Sequence, residues 1–516
     1  MYDYVIVGAG SAGCVVAARL SEDPNIKVAL LEAGGSDDRP EISMPIAFPL
    51  LLKSSSDWDL LGEEEPGLRN RRLFLPRGKV IGGSGSINAM IYIRGNRADF
   101  DGWAAGGATG WSYDEVLPYF KRSETNSRGA SEYHGGDGPM SVADSYAMSP
   151  MIETMIEASV AAGIPHNDDF NGAVQDGVGR FQLTQLNGRR HSTAMAFLHP
   201  ALGRPNLTVI TDALALKILF DGTRAVGVQV SRGGKVEEVR ADREVVVSAG
   251  AYQSPILLMQ SGIGPAEDLG AFGMPVLESL PVGRNLQDHC MAQLNFETDG
   301  PSLHGVFTPE NFELFEKEGR GPLTSNIPEA GAFFKTRSDY DAPDVQFHYA
   351  PGMFYDEGLT APHDSGFCFG SVIAKPVGRG TVKMRTPLPD SKPLIFSNFV
   401  NTPEDRASMV EGTRMALTVA AEEPLRSQVR KPFSVPASDS EADILAWAAR
   451  AGQSVYHPTS TCAIGEVVDP DLRVFGFESL RIADASVMPS ITRGNTNATA
   501  IMIGEKASDL LKASSA

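Results

Sequence analysis

Residues 4–32 read YVIVGAGSAGCVVAARLSEDPNIKVALLE, and this stretch decides the fold. Tyr4 to Val7 is a short apolar run fit for a buried strand. Cys14 to Leu20 carries the small and apolar residues of a helix packed on a sheet, and Lys27 to Leu31 is a second apolar strand ending in Glu32. Between the first two lies Gly8-Ala9-Gly10-Ser11-Ala12-Gly13, a G-x-G-x-x-G spacing. Gly8 permits a tight turn, Gly10 lets backbone approach a pyrophosphate, and Gly13 lets helix and strand pack closely. The helix N-terminus offers unpaired N–H groups to phosphates, and Glu32 can accept hydrogen bonds from a ribose diol. Strand, loop, helix, strand and acid in register predict a dinucleotide site on a Rossmann-type α/β unit. An acid at this place favours a free ribose 2′-hydroxyl, hence FAD or NAD over NADP, and the fingerprint leaves those two open.

The remaining composition sets bounds. At 516 residues the chain has room for two to four domains. With 64 acidic and 45 basic side chains its formal charge is −19, which argues against nucleic acid as a general partner, because neutralising phosphates needs a basic surface. Four scattered cysteines with no C-x-x-C exclude a disulfide-dense scaffold and the usual zinc patterns, and no metal site is expected. The start lacks a basic, cleavable leader and no run of 18 apolar residues occurs, so the expected location is cytoplasmic. Peripheral contact with the inner face of a membrane stays open, and the sequence does not set the oligomeric state.

Further along, residues 78–95 read GKVIGGSGSINAMIYIRG, a second glycine-serine loop. Asn206 to Thr211, Ala215 to Phe220, Ala225 to Ser231 and Glu244 to Ser248 are predicted strands, followed by a helix from Ser254 to Gln260 with Pro255 in its first turn. Asp344 to Tyr349 reads as a strand and Pro403 to Ala421 as a helix. In the tail, Tyr456-His457-Pro458 precedes a strand over Arg481 to Ala483 and a helix over Ala498 to Leu511.

Together these segments resemble the glucose-methanol-choline (GMC) oxidoreductases, most closely their choline-dehydrogenase-like bacterial alcohol dehydrogenases. The likeness spans nearly the whole chain: the N-terminal fingerprint, the loop at 78–95, GAYQSPILLMQSGIG at 250–264, VGRNLQDH at 282–289, and the tail from Tyr456. It implies α/β (α+β overall) architecture. A discontinuous FAD domain would comprise residues 1–145, 190–295 and 455–516, interleaved with a substrate domain of 146–189 and 296–454 on a mostly antiparallel sheet. It also resolves the cofactor as FAD. Where some members carry a flavin-linked histidine this chain has Ile87, so the FAD is expected to be non-covalent.

Position by position, the resemblance places the catalytic histidine at His457 and the second catalytic position at Asn495. Cofactor contacts are implied at Gly8, Gly10, Ser11, Ala12, Gly13, Glu32, Ala33, Trp58, Val80, Gly83, Asn88, Ile91, Ala213, Asp484, Ala485, Thr496 and Asn497. Two departures stand out: GGSGS at 82–86 in place of the usual GGSSS, and Ala463 where arginine is frequent. The implied reaction is FAD-dependent oxidation of a primary alcohol to the aldehyde. His457 would take the hydroxyl proton, and Asn495 would donate to the developing alkoxide. The partners would be a small alcohol and an electron acceptor, either a quinone-like carrier or oxygen. Phe333, Phe334, Phe347, Tyr349, Phe354 and Tyr355 suggest an apolar or aromatic substrate, or a choline ammonium caged by rings. His348 is a candidate for the cavity wall, and Cys462 is expected to be packed. An oxidase, a flavin-containing non-redox lyase and a non-catalytic FAD-binding protein are the alternatives.

Overall fold

The computed structural model describes residues 1–147 and 149–514. Tyr2–Val7, Val28–Leu31, Leu207–Ile210, the end of Lys235–Val247, and Leu480–Ile482 form a parallel layer. Its order is 207–210, 28–31, 2–7, 244–247, 480–482. Val5, Ile6, Val28, Leu30 and Val245 are fully buried, as strands covered on both faces require, each contributing roughly 1.5–3 kcal/mol. Helix Ser11–Leu20 lies against this layer beneath the terminal helix Asn497–Ala513. The two helices approach closely at Gly504, where an added Cβ would come 2.8 Å from the Ala12 carbonyl oxygen.

Strand Lys235–Val247 joins the parallel layer to an antiparallel extension of the same seven-stranded sheet. Its first half pairs antiparallel with Arg224–Arg232, which pairs with Ala213–Asp221. Its last four residues run parallel to Tyr4–Val7. The expected helix over Ser254–Gln260 begins earlier, at Gly250, so Pro255 stands inside it. The proline has no N–H for the Ala251 carbonyl, and that oxygen accepts instead from the Thr461 hydroxyl at 2.6 Å. The tail thereby satisfies the break.

A second seven-stranded sheet is wholly antiparallel. Its order is Lys431–Ser434, Cys290–Glu297, Gly366–Ile373, Val345–Ala350, Ala330–Phe334, Gly177–Arg180, with Gln453–Ser454 also on Cys290–Glu297. The expected boundary at residue 295 therefore falls inside a strand, and this strand belongs to the second sheet. Helix Pro403–Ala421 covers one face: a Cβ on Gly412 would stand 2.3 Å from Ser371 Oγ. The other face looks toward the parallel layer. Among the described residues, no helix is long and apolar enough to cross a membrane.

Candidate active site

The carboxyl ends of the parallel strands open into a cavity of about 320 Å³, where ligands bind in open α/β sheets. Gly8, Gly10, Ser11, Ala12, Glu32, Ala33 and Ala213 line it from the segments that follow three of those strands. Gly8 has φ of +101°, and a Cβ there would meet the Ser248 carbonyl oxygen at 2.4 Å, so only glycine fits. Gly83 has φ of +54° and would place a Cβ 2.7 Å from Gly10 Cα, so the two glycine loops touch. No side chain caps helix Ser11–Leu20, and its first turn carries no acid, leaving N–H groups for an anion. Glu32 accepts from the backbone N–H of Ala9 at 2.9 Å and of Gly34 at 2.8 Å, and burial pushes its carboxyl up to about 7. Each oxygen keeps a lone pair for a ribose hydroxyl.

Trp58, Gly83, Asn88, Ile91, Asp484, Ala485, Thr496 and Asn497 also reach this cavity, with Ile87 beside Asn88. The Asp484 carboxylate is already engaged by the Gly250 and Ser486 N–H groups and the Ser254 hydroxyl. Two expected contacts do not line the cavity. Gly13 faces the strand turn, where a Cβ would lie 1.9 Å from the Gly8 carbonyl oxygen, so its role is packing. Val80 is buried with Ile42, Leu51 and Ile87, and its carbonyl accepts from Gly83, which shapes the loop from behind.

At the far end stand His457 and Asn495. Tyr456 holds a left-handed φ of +67°, a cost of about 1–3 kcal/mol. Its neighbours enforce it: the Tyr456 carbonyl accepts from Arg77 Nη2 at 2.7 Å, and its N–H donates to Ser454 Oγ at 2.7 Å. The buried Asp288 carboxylate accepts from the His457 N–H at 2.8 Å and the Ser454 hydroxyl at 2.5 Å. Burial pushes Asp288 up to about 6.

Hydrogen-bond logic fixes the protons. His289 Nε2 lies 3.0 Å from the Ala374 carbonyl oxygen, which can only accept, so Nε2 carries the proton and Nδ1 a lone pair. His457 Nδ1, 3.0 Å from His289 Nδ1, must then donate, which leaves His457 Nε2 with its lone pair directed at Asn495 Nδ2, 3.2 Å away. Gln346 Nε2 donates to Asn495 Oδ1 at 3.2 Å and holds the amide that way round. Burial, with help from His289, His348 and Arg77, drives His457 well below the usual histidine range; burial takes His289 down to about 3 and His348 to about 4. All three rings are neutral at neutral pH. Nε2 of His457 is unprotonated and accepts one N–H of Asn495, whose amide carries a second N–H beside it.

The sheet supplies the opposite wall. Gln293, Gly370 and His348 stand side by side across three strands, and Gln293 and His348 line the cavity with Met291, Ala350, Phe354 and Val455. Of the six aromatic residues expected around the substrate, Phe354 alone lines this cavity. Phe347 and Tyr349 alternate with His348 and so face away; Phe334 meets Phe347 edge-on, and the Tyr349 hydroxyl bonds Ser159. Phe333 packs with Phe170 and Phe181, and Tyr355 against Phe433. A second cavity of about 310 Å³ shares Gln293 and Phe354 with the first.

Sequence reasoning missed His289, Asp288, Gln346 and Arg77. The signal for the first two was VGRNLQDH itself, whose last two residues are this pair. All four cysteines are buried, and burial raises the thiol pKa of each, Cys462 included. Among the described residues, no cluster of three or more His, Cys, Asp or Glu could hold a metal ion.

Sequence models of the GMC oxidoreductases match residues 2–291 and 376–504. An alcohol dehydrogenase [acceptor] of Pseudomonas putida is 39% identical over 99% of this chain and 96% of its own. An oxygen-dependent choline dehydrogenase of Sinorhizobium fredii is 41% identical over 98% and 95%. Among solved structures, pyridoxine 4-oxidase from Mesorbium loti superposes with a TM-score of 0.90 at 31% identity, covering 99% of both chains. A formate oxidase superposes at 0.92 and 27%, covering 99% and 98%.

Proposed function

The chain belongs to the GMC oxidoreductase family, and from that membership we propose that it is a dehydrogenase oxidising an uncharged primary alcohol to its aldehyde. FAD is the cofactor and a CH–OH group the electron donor. The loops at Gly8–Ala12 and Gly83 would hold the diphosphate, Glu32 the ribose, and Asn88 with the wall around Ile87 the isoalloxazine ring, and Ile87 offers no nucleophile for a covalent link. Bound FAD supplies the hydride acceptor.

The chain's own work is proton transfer and positioning. His457 Nε2 accepts the hydroxyl proton, and the resulting imidazolium is stabilised by the His289 lone pair at Nδ1. Asn495 Nδ2 donates to the same substrate oxygen as charge develops there. The hydrogen bond between His457 Nε2 and Asn495 Nδ2 at the cavity wall, which sets a base and an amide with a second N–H side by side, carries this reading. Around it stand Gln293, His348, Met291, Ala350, Phe354 and Val455, with no carboxylate among them, which favours an uncharged alcohol over a choline-like cation.

The test is anaerobic bleaching of the flavin across aliphatic, benzylic and choline alcohols. His457→Ala should retain FAD and slow bleaching by roughly 10²–10⁴-fold; bleaching at the wild-type rate removes His457 from the role. A second reading, an oxidase, is favoured by the solved neighbours, which are named oxidases. Oxygen uptake with peroxide formation that outpaces reduction of a quinone-like dye would establish it.

A further inference from the structure

The two most deeply buried arginines each meet a carboxylate: Arg94 pairs with Glu124 and Arg481 with Glu244. Arg190 does not. It is 4% exposed, and its three hydrogen-bond acceptors are neutral. Nε donates to the Ile42 carbonyl at 2.8 Å, and Nη1 donates to Asn88 Oδ1 at 2.8 Å and to the Gly85 carbonyl at 3.2 Å. Nη2 is buried with no partner. Burial takes the guanidinium down to about 9, which still leaves it protonated at neutral pH. A buried cation without a counter-charge costs several kcal/mol, and sequences keep one where something else supplies the negative charge.

Its neighbours point to what that is. Asn88 lines the cavity, and its oxygen is saturated, accepting from Arg190 and from the Met90 N–H at 2.9 Å. The Asn88 amide is thus polarised by a full positive charge on its inner side and presents its NH₂ on the other. Gly85, the second polar contact, belongs to the loop that touches Gly10 through Gly83.

We propose that Arg190 is a positioning residue that acts through Asn88 to raise the reduction potential of the bound flavin, its unpaired charge being neutralised when the flavin is reduced. The balance is as follows. A hydride, two electrons and one proton, leaves the alcohol carbon for the flavin, while the hydroxyl proton goes to His457. The alcohol is oxidised, and the flavin, neutral before, gains one negative charge. Arg190 stabilises that charge from one side chain away. The inference rests on the flavin lying against Asn88, as the proposed function has it.

The potential is measured on the FAD-loaded protein by reductive titration against a reference dye, with sulfite affinity as a second reading, since sulfite addition also places negative charge on the flavin. Neither measurement uses an alcohol, so they separate this inference from the assignment of the reaction, which the alcohol panel tests. Arg190→Met should shift the reduction equilibrium about tenfold toward oxidised flavin, about 30 mV for two electrons, and weaken sulfite binding by a similar factor. Arg190→Lys keeps the charge and should stay within about threefold of wild type. Asn88→Asp pairs the guanidinium with a carboxylate in place and should behave like Arg190→Met. If Arg190→Met does not retain flavin, Asn88→Asp carries the test. A potential and sulfite affinity within about twofold of wild type in whichever of these two variants holds flavin overturns the proposal.

Discussion

His289 and His457 meet Nδ1 to Nδ1 at 3.0 Å, with ring planes 89° apart. The Ala374 carbonyl makes His289 an acceptor at that nitrogen, so the pair selects the tautomer of His457 whose outer nitrogen is unprotonated. Replacing His289 by alanine removes the selection and leaves the His457 Nδ1–H without its partner. Flavin reduction should slow about tenfold or more with FAD still bound, the loss falling on the rate rather than on substrate affinity. Anaerobic stopped-flow traces measure this, and a loss confined to affinity would assign His289 a packing role only.

The same burial sets the pH profile. A free histidine titrates near 6.5, whereas His457 is driven well below by burial and by His289, His348 and Arg77. A base with a depressed pKa is deprotonated at every pH above that value, so the reduction rate should stay level from neutral pH down past 6.5 and fall only in more acidic solution. A profile that rises through about 6.5–8 would show an ordinary, solvated histidine at work.

Local order explains what was legible in the sequence. The fingerprint from Tyr4 to Glu32 is one continuous strand-turn-helix-strand, so its residues could be read together, and the tail placed His457 and Asn495 beside recognisable motifs. His289 needed the strand Cys290–Glu297 to pair with Gln453–Ser454, which brings two distant segments side by side. The aromatic residues failed for a different reason. Alternation says that Phe347 and Tyr349 oppose His348, but which face meets the cavity is decided by helix Pro403–Ala421 covering the other, and no local pattern carries that. Pro255 misled similarly, because a distant Thr461 hydroxyl makes a proline tolerable inside the helix.

Phe354 stands between the two cavities, its N–H donating to Asn295 Oδ1 at 2.9 Å and its carbonyl accepting from Asn295 Nδ2 at 3.1 Å. The clamped backbone leaves the ring, with Gln293, on the boundary that the two cavities share. Phe354→Ala should join the cavities and raise kcat/KM for longer alcohols about tenfold relative to short ones, each buried methylene contributing about 0.8 kcal/mol. A series of straight-chain primary alcohols reads this directly; an unchanged chain-length preference would place the substrate elsewhere along the wall.

Glu32 gives the cofactor site a pH dependence of its own. Burial raises its carboxyl to about 7, while the Ala9 and Gly34 N–H groups and Lys79 pull the other way. In the proposed site ribose hydroxyls would donate to the charged form, so FAD would prefer the deprotonated protein. Because the pKa before binding is raised, that form is scarce below about 7 and dominant above it. Apoprotein affinity for FAD should therefore strengthen as pH rises from about 6 to about 8, with uptake of FAD releasing a proton at the lower end. Glu32→Gln, which cannot ionise, should bind FAD about tenfold more weakly at pH 8 and lose the pH dependence. Fluorescence titration of apoprotein across that range measures both, and an equally steep dependence in the variant would assign the titrating group to another residue.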